Sequence, residues 1–231
     1  MLLPFDQSNP KVRAIVTIAT VALVSCALWM VYRAIVPSGG ESGITKDFPT
    51  STGFVLAEIL AEQIGTGGII VIVNATHDAN GAIVRTKLGE SQMAGVNAAL
   101  RGHSGITVID EVDLPPPMMA AQPGMLNLVL PNDLAQIIAS HPEADGILLL
   151  AGLPGVIPRL GSSAPPIVAF DPTGAVFEAW IRGNAATAVG IWNYSDEPQI
   201  PTGDIDSRAL PFYKQGILIT SENIDSLNAT P

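Results

Sequence analysis

The chain has 231 residues, of which 14% are charged, and its formal net charge is −10. This acidic balance argues against a nucleic-acid-binding protein, because contact with phosphates needs a basic surface. The single cysteine excludes an internal disulfide framework, and three scattered histidines without ligand spacing predict no metal site.

The first predicted element is a membrane-spanning helix at residues 14–36. Residues 14–32 carry no charge, and with the apolar residues after Arg33 the run reaches the length of about 20 residues that crosses a bilayer. Trp29 and Tyr32 lie near its far end, where aromatic rings favour the membrane interface, and Arg33 can extend toward the headgroups. The sequence therefore predicts a single-pass anchor in the lipid bilayer.

Basic residues before this helix predict its orientation. Lys11 and Arg13 precede the apolar run, which indicates a short cytoplasmic N-terminus (1–13) and a periplasmic main domain at a bacterial inner membrane. A cleaved signal peptide has a shorter apolar core. A lipoprotein signal ending at Cys26 is the other alternative, but the residues after Cys26 stay apolar. We therefore expect Cys26 to be a small apolar residue of a retained helix.

A tether and one domain follow the anchor. Residues 37–52 are rich in Gly, Ser and Pro, which is typical of a flexible linker. Residues 53–227 are enough for one domain with a sizeable core, and residues 228–231 form a short tail.

Helical and strand patterns alternate through this domain. Helices are predicted at 54–64, 88–100, 133–140 with Asn132 as N-cap, and 175–181. Strands are predicted at 69–73, 106–112, 146–150, 167–170 and 187–191. The alternation predicts an α/β fold with a single doubly wound, flavodoxin-like parallel sheet of five strands and flanking helices.

One long loop interrupts the alternation at residues 114–131. It has no clean period and holds five prolines and three methionines. Two interpretations stay open: the loop packs over its own domain, or it contacts another protein. The candidate contact residues are Pro115, Pro116, Pro117, Met118, Met119 and Met125.

Four stretches, in order, resemble the type I periplasmic binding proteins, the ribose- and galactose-binding family with a LacI-like fold. GFVLAEILAEQIGTGGIIVIV resembles the crossover helix and first strand of the family's C-terminal lobe. HPEADGILLL resembles the family's "D-G-I" stretch. IVAFDPTGAVFEAWIRGNAATAV resembles its "V-G-F-D" run. GILITSENID resembles its closing strand with the pattern "T-x-E-N-V-D". The resemblance covers 53–227 and one lobe only, with the anchor and tether in place of the N-terminal lobe.

The family binds sugar between two lobes, and the resemblance places its ligand-contacting aspartate on Asp171. Its asparagine and glutamine fall near Gly152 and Gly190, and its arginine near Glu90, with Arg85 close by. One carboxylate without convergent partners does not make a sugar site. We therefore expect Asp171 to accept backbone hydrogen bonds within the turn that follows it. The family's helix after the fifth strand is expected to be lost, because residues 193–212 are rich in turn formers.

The sequence predicts no enzyme and no cofactor, because it has neither a nucleophile elbow nor a phosphate-binding loop. His77 and Asp78 follow the first strand, where the topology places a ligand loop. Asp110, Glu111 and Asp113 are interpreted as a solvated acidic strand end.

Two functions are compatible with these features of the sequence. The main prediction is a structural or accessory subunit that docks, through a face left exposed by the missing lobe, onto the other subunits of a larger inner-membrane complex. The alternative is a solute-binding or sensing module that takes its second lobe from a partner or dimer mate. Its ligand residues would be Asp171, His77, Asp78 and Arg85.

Overall fold

The computed structural model describes residues 47–115, 129–161, 164–193 and 197–227. The predicted span 14–36, with Trp29, Tyr32 and Arg33, lies outside these residues, and so do Pro116, Pro117, Met118, Met119 and Met125. Within the described residues, no helix combines the length and the apolar character that a membrane crossing needs.

Helices and strands alternate as predicted. The strands are β1 (Gly67–His77), β2 (Ile83–Arg85), β3 (Ile106–Leu114), β4 (Gly146–Leu149), β5 (Ile167–Asp171), β6 (Ala188–Trp192) and β7 (Gly216–Thr220). The helices are α1 (Phe48–Ile64), α2 (Lys87–Leu100), α3 (Pro131–Ser140), α4 (Phe177–Arg182), α5 (Leu210–Gln215) and α6 (Ile224–Leu227).

All seven strands form one sheet, which is mixed. The five predicted strands are confirmed and run parallel, in the order β3-β1-β4-β5-β6, which is the flavodoxin-like order. The prediction of a wholly parallel, five-stranded sheet is wrong, because β7 pairs antiparallel with β6 and β2 pairs antiparallel with the far end of β1. β2 has only three residues, too few for a strand pattern to show in the sequence.

The sheet separates two apolar layers. In β1, Ile69, Val71 and Val73 belong to the layer that contains α1 and α2. Ile70 and Ile72 belong to the opposite layer, which contains Leu134 of α3 and Trp180 of α4. Successive strand side chains point to opposite faces, so the continuous β-branched run of β1 is buried on both sides of the sheet.

Several helix boundaries differ from their predictions. α1 begins at Phe48, with a proline in its first turn, so residues 48–52 of the predicted tether are helical. α3 begins at Pro131 after Leu130, and no side chain caps it; the prediction of Asn132 as N-cap is wrong. The stretch expected to lack a helix, residues 193–212, ends within the short helix α5, whose Phe212 is fully buried.

A pH-sensitive contact joins α3 to β3. His141 Nδ1 lies 2.9 Å from the Ile137 carbonyl oxygen, and Nε2 lies 2.9 Å from Asp110 Oδ2. The hydrogen bond to Ile137 raises the pKa of His141, and the negative charges of Asp110 and Glu143 raise it further. Because folding raises the pKa of His141, its contact stabilises the folded state fully at pH values below the unfolded-state pKa of about 6.5. This stabilisation is lost as the pH rises through the pKa of the folded state.

We therefore expect His141→Gln to lower the free energy of unfolding more at pH 5 than at pH 8. The difference should be about 0.5 kcal/mol, the size of a partly exposed ion pair. Urea unfolding at the two pH values measures it, and an equal loss at both would contradict the assigned contact.

Candidate functional site

The candidate site is the carboxyl edge, which we define as the carboxyl ends of the five parallel strands and the segments that directly follow them. Doubly wound sheets bind their ligands at this edge. All four predicted ligand residues lie there: Asp171 is the last residue of β5, His77 is the last residue of β1, and Asp78 and Arg85 belong to the turn and strand that follow β1.

Asp171 is buried, with 1% of its surface exposed, and both of its carboxylate oxygens are engaged. Oδ1 accepts hydrogen bonds from the backbone N–H of Thr173 (3.0 Å) and from its hydroxyl (2.6 Å). Oδ2 accepts from the N–H groups of Val176 (3.0 Å) and Phe177 (3.2 Å) at the start of α4. A carboxylate has about four acceptor positions, so these four bonds use the group within its own turn, as the sequence predicted.

Arg85 lies on β2 and is held by two carboxylates of β3. Its Nε lies 2.6 Å from Asp113 Oδ1, and its Nη1 lies 2.9 Å from Glu111 Oε2. The hydrogen bond to Asp113 raises the pKa of Arg85, with a further contribution from Glu111. The side chain is thus an internal clamp between β2 and β3. Glu111 and Asp113 are two of the three carboxylates interpreted from the sequence as a solvated strand end. The third, Asp110, contacts His141.

His77 and Asp78 lie in a β-hairpin formed by β1 and β2. Asp78 Oδ1 accepts hydrogen bonds from the backbone N–H groups of Asn80 (2.8 Å) and Ala82 (2.9 Å), which closes the turn. Residues 76–84, which we call the hairpin tip, are all exposed. The segment predicted as a ligand loop is therefore a hairpin with a three-residue second strand, and Asn80-Gly81 is its signal in the sequence.

Several exposed apolar side chains lie at the carboxyl edge. Among the described residues, seven large apolar side chains are exposed. Four of them lie at this edge: Ile83 and Val84 in β2, Leu88 at the start of α2 and Leu130 directly before α3. Val156 lies away from it, because the next residue, Ile157, approaches Gly183 at the end of α4. Ile109 lies within β3 instead. Val156 and Ile83 are the most exposed, at 69% and 52%.

The charges around this edge are mostly negative. Glu90 and Asp133 lie in the first turns of α2 and α3, which both begin here. Asp78, Glu111 and Asp113 add three carboxylates, and the cations nearby in the chain are Arg85 and Lys87. The edge therefore combines exposed apolar side chains with an acidic surround.

Two open cavities in the described part of the chain lie elsewhere. One, of about 340 Å³, lies between α1 and residues 201–213. The other, of about 370 Å³, lies beside the start of β6 and the end of β7. Neither is lined by a predicted ligand residue. No group of three or more metal-ligating side chains occurs within the ranges that the structure describes.

No protein-family model matches the sequence, and no curated protein matches it significantly. Solved structures similar to the chain include an ABC-transporter solute-binding protein from Burkholderia graminis in complex with D-arabinose (13% identity, TM-score 0.48, 77% of this chain and 61% of that one). Others are a sugar-binding protein of a Bacillus halodurans sugar ABC transporter (17%, 0.49, 79% and 64%) and a glucose-galactose binding protein from Geobacillus stearothermophilus (11%, 0.46, 78% and 62%). The chain thus spans less than two thirds of the length of each of these three structures.

Proposed function

We propose that the chain is a membrane-anchored accessory subunit that docks through its carboxyl edge onto another protein of a larger assembly at a bacterial inner membrane, on the periplasmic side. The proposal rests on one observation: Ile83, Val84 and Leu88 are exposed within six residues of chain at the edge where the predicted ligand residues Asp171 and Arg85 are engaged by their own domain. Contiguous apolar surface on a monomer marks a protein interface.

The energetics favour a protein over a small solute as the occupant. Burial of apolar surface contributes about 25 cal/mol per Å², so several side chains of the size of Ile83 and Leu88 contribute several kcal/mol when a partner covers them. A sugar would have to displace the four hydrogen bonds of Asp171 before that carboxylate could receive it. The N–H groups left behind would then lack acceptors, which costs about 1–3 kcal/mol each.

The test is co-purification from native membranes in mild detergent, with Ile83→Asp and Leu88→Asp as the disrupting variants. We expect each variant to lower the amount of recovered complex at least tenfold, since a charge would have to be desolvated at the interface. The melting temperature of the chain should stay unchanged, because both side chains are exposed.

Ile109→Asp is the matched control, because Ile109 is an exposed apolar residue away from the carboxyl edge. It should leave the complex intact. Recovery of the wild-type chain only as a monomer, or equal recovery with all three variants, would contradict docking at this edge.

Solute binding with a second lobe is the other candidate function. The position of Asp171 at the carboxyl end of a parallel strand favours it, because ligands of doubly wound sheets bind there. A ligand that binds only the native state must raise the melting temperature. A panel of pentoses and hexoses, including D-arabinose and D-allose, should give a shift that Asp171→Asn removes if this candidate holds, and no shift if the edge is a docking surface.

A further inference from the structure

An open groove lies between α1 and residues 201–213, and we call it the α1 groove. Its volume is about 340 Å³. The apolar part of its wall includes Phe54 and Val55, which are buried, and Ile59 and Ile205, which are half-buried. Neither the predicted ligand residues nor the exposed apolar residues of the carboxyl edge line it. The α1 groove is therefore a surface separate from the carboxyl edge.

Carboxylates surround this apolar wall. Four of them line the α1 groove: Glu58, Glu62, Asp204 and Asp206. Glu58 has a partner within the domain, because its Oε2 lies 2.9 Å from Nε2 of His103. In the part of the chain that the structure describes, the carboxylates of Glu62 and Asp204 form neither an ion pair nor a hydrogen bond. These two carboxylates are therefore available to a cation from outside the domain.

The fourth carboxylate shows how this surface receives a cation. Asp206 accepts hydrogen bonds from Arg208, at 3.0 Å from Nε to Oδ1 and at 2.5 Å from Nη2 to Oδ2. These hydrogen bonds lower the pKa of Asp206 to about 2. The guanidinium carbon of Arg208 lies 4.4 Å from the centroid of the Phe54 ring, which is within the range of cation–π contacts. A cation thus pairs with a carboxylate here while its flat face lies on apolar surface.

The α1 groove carries an excess of negative charge. Its four carboxylates outnumber the one guanidinium beside it, that of Arg208. Burial raises the pKa of Tyr213, which also lines the groove, and the negative charge of Glu62 raises it further. A group that combines apolar surface with positive charge is therefore complementary to this wall.

The charge and the openness of the α1 groove favour a protein segment as its occupant. Pro201, Thr202 and Asp204 are exposed on one side, so a small molecule would leave much of its surface in water, whereas small-molecule pockets bury most of their ligand. Anionic lipid and a second copy of this chain, whose net charge is −10, are both repelled by the carboxylates. Lys and Arg side chains carry a cationic head on an apolar stem, which matches both parts of the wall.

We propose that the α1 groove binds a segment of a partner protein in which an apolar side chain is flanked by Lys or Arg. The apolar side chain packs on Ile59 and Ile205, and the cationic side chain pairs with Glu62 and Asp204. This second docking surface goes beyond the contact at the carboxyl edge and does not depend on it. Because the ion pairs are open to solvent, the affinity falls as the salt concentration rises.

The first test is peptide binding to the purified full chain in non-ionic detergent, measured by fluorescence anisotropy. The probe is an eight-residue peptide of two leucines flanked on both sides by lysines. One counterpart carries glutamates in place of the lysines, and another carries serines in place of the leucines. We expect saturable binding of the lysine–leucine peptide, no binding of the glutamate peptide, and an affinity at least threefold lower for the serine peptide.

The double variant Glu62→Gln, Asp204→Asn should weaken binding of the lysine–leucine peptide at least threefold, because it removes both charges and keeps the shapes of the side chains. Glu222→Gln is the matched control, since Glu222 is an exposed carboxylate outside the α1 groove, and it should leave the affinity unchanged. Equal binding of the lysine and glutamate peptides, no saturable binding up to millimolar concentrations, or an unchanged affinity in the double variant would overturn the inference.

The second test uses the full chain in its native membranes, with photoreactive benzoylphenylalanine in place of Thr202, an exposed residue of the groove wall. Mass spectrometry should place the adduct on a partner segment with Lys or Arg next to an apolar residue, and the double variant should lower the yield at least threefold. An adduct on a segment without basic residues, or on a second copy of the chain, would overturn the inference, even where the loss of the complex with Ile83→Asp had upheld docking at the carboxyl edge.

Discussion

Replacing Asp171 with Ala should lower the free energy of unfolding by about 3 kcal/mol. The substitution leaves the N–H groups of Thr173, Val176 and Phe177 without their acceptor, and buried polar groups that lose a partner cost about 1–3 kcal/mol each. Part of this loss is recovered because water reaches the half-buried turn. Urea unfolding of the full chain in detergent, followed by near-ultraviolet circular dichroism, measures the change.

Asp171→Asn is the matched variant, because it keeps the shape of the side chain and one carbonyl oxygen. Asp171→Asn should lower the free energy of unfolding by less than Asp171→Ala does. Its Oδ1 can still accept hydrogen bonds from Thr173, so only the pair of hydrogen bonds to the other carboxylate oxygen is lost. A change below about 0.5 kcal/mol in both variants, the range of ordinary surface substitutions, would show that the carboxylate does not stabilise the fold and would reopen its role in ligand binding.

Gly95→Ala should also lower the free energy of unfolding by about 3 kcal/mol. A Cβ at Gly95 would lie 1.9 Å from the carbonyl oxygen of Thr50 and 2.7 Å from the backbone nitrogen of Phe54. The obstacle is the backbone of α1, which cannot rotate away, so α1 and α2 must separate and lose packing in the apolar layer. The higher helix propensity of Ala offsets only about 1 kcal/mol.

Gly155→Ala is the control for this prediction. Nothing lies within 4 Å of the position that its Cβ would take, so the stability should change by less than about 0.5 kcal/mol. Urea unfolding compares the two variants. The midpoint concentration of urea reports the change in stability when the m-value, the dependence of the unfolding free energy on urea, stays constant. Equal midpoints for the two would contradict the close approach of α1 and α2.

The parallel core was predictable because its signals are local. The run from Ile69 to Val73 is apolar at every position, which a strand buried on both faces requires. The alternation with helical patterns then predicted the layered arrangement. The early start of α1 was hidden because Ser51 and Thr52 are polar in sequence. They are buried in the structure, where Ser51 Oγ accepts from the Phe212 N–H and the Thr52 hydroxyl donates to the Phe48 carbonyl oxygen.

The candidate site was predictable in part. The turn role of Asp171 follows from its position before Pro172 and Thr173, because Asp at a strand end accepts local N–H groups. The clamp of Arg85 with Glu111 and Asp113 joins residues 26 and 28 positions apart in the chain, and no local pattern predicts such a pairing. The hairpin tip has a local signal in Asn80-Gly81, a dipeptide typical of hairpin turns. Its three-residue second strand was not predicted, because so short a strand is defined by its partner.

Hydrogen–deuterium exchange of the hairpin tip distinguishes a docking surface from a sugar-binding site. The backbone amides of residues 76–84 are compared in the purified chain, in the purified chain with the sugar panel, and in the complex extracted gently from membranes. Docking predicts that exchange slows at least tenfold in the complex and is unchanged by any sugar. Slowing by a sugar in the purified monomer, with no protection in the extract, would contradict it.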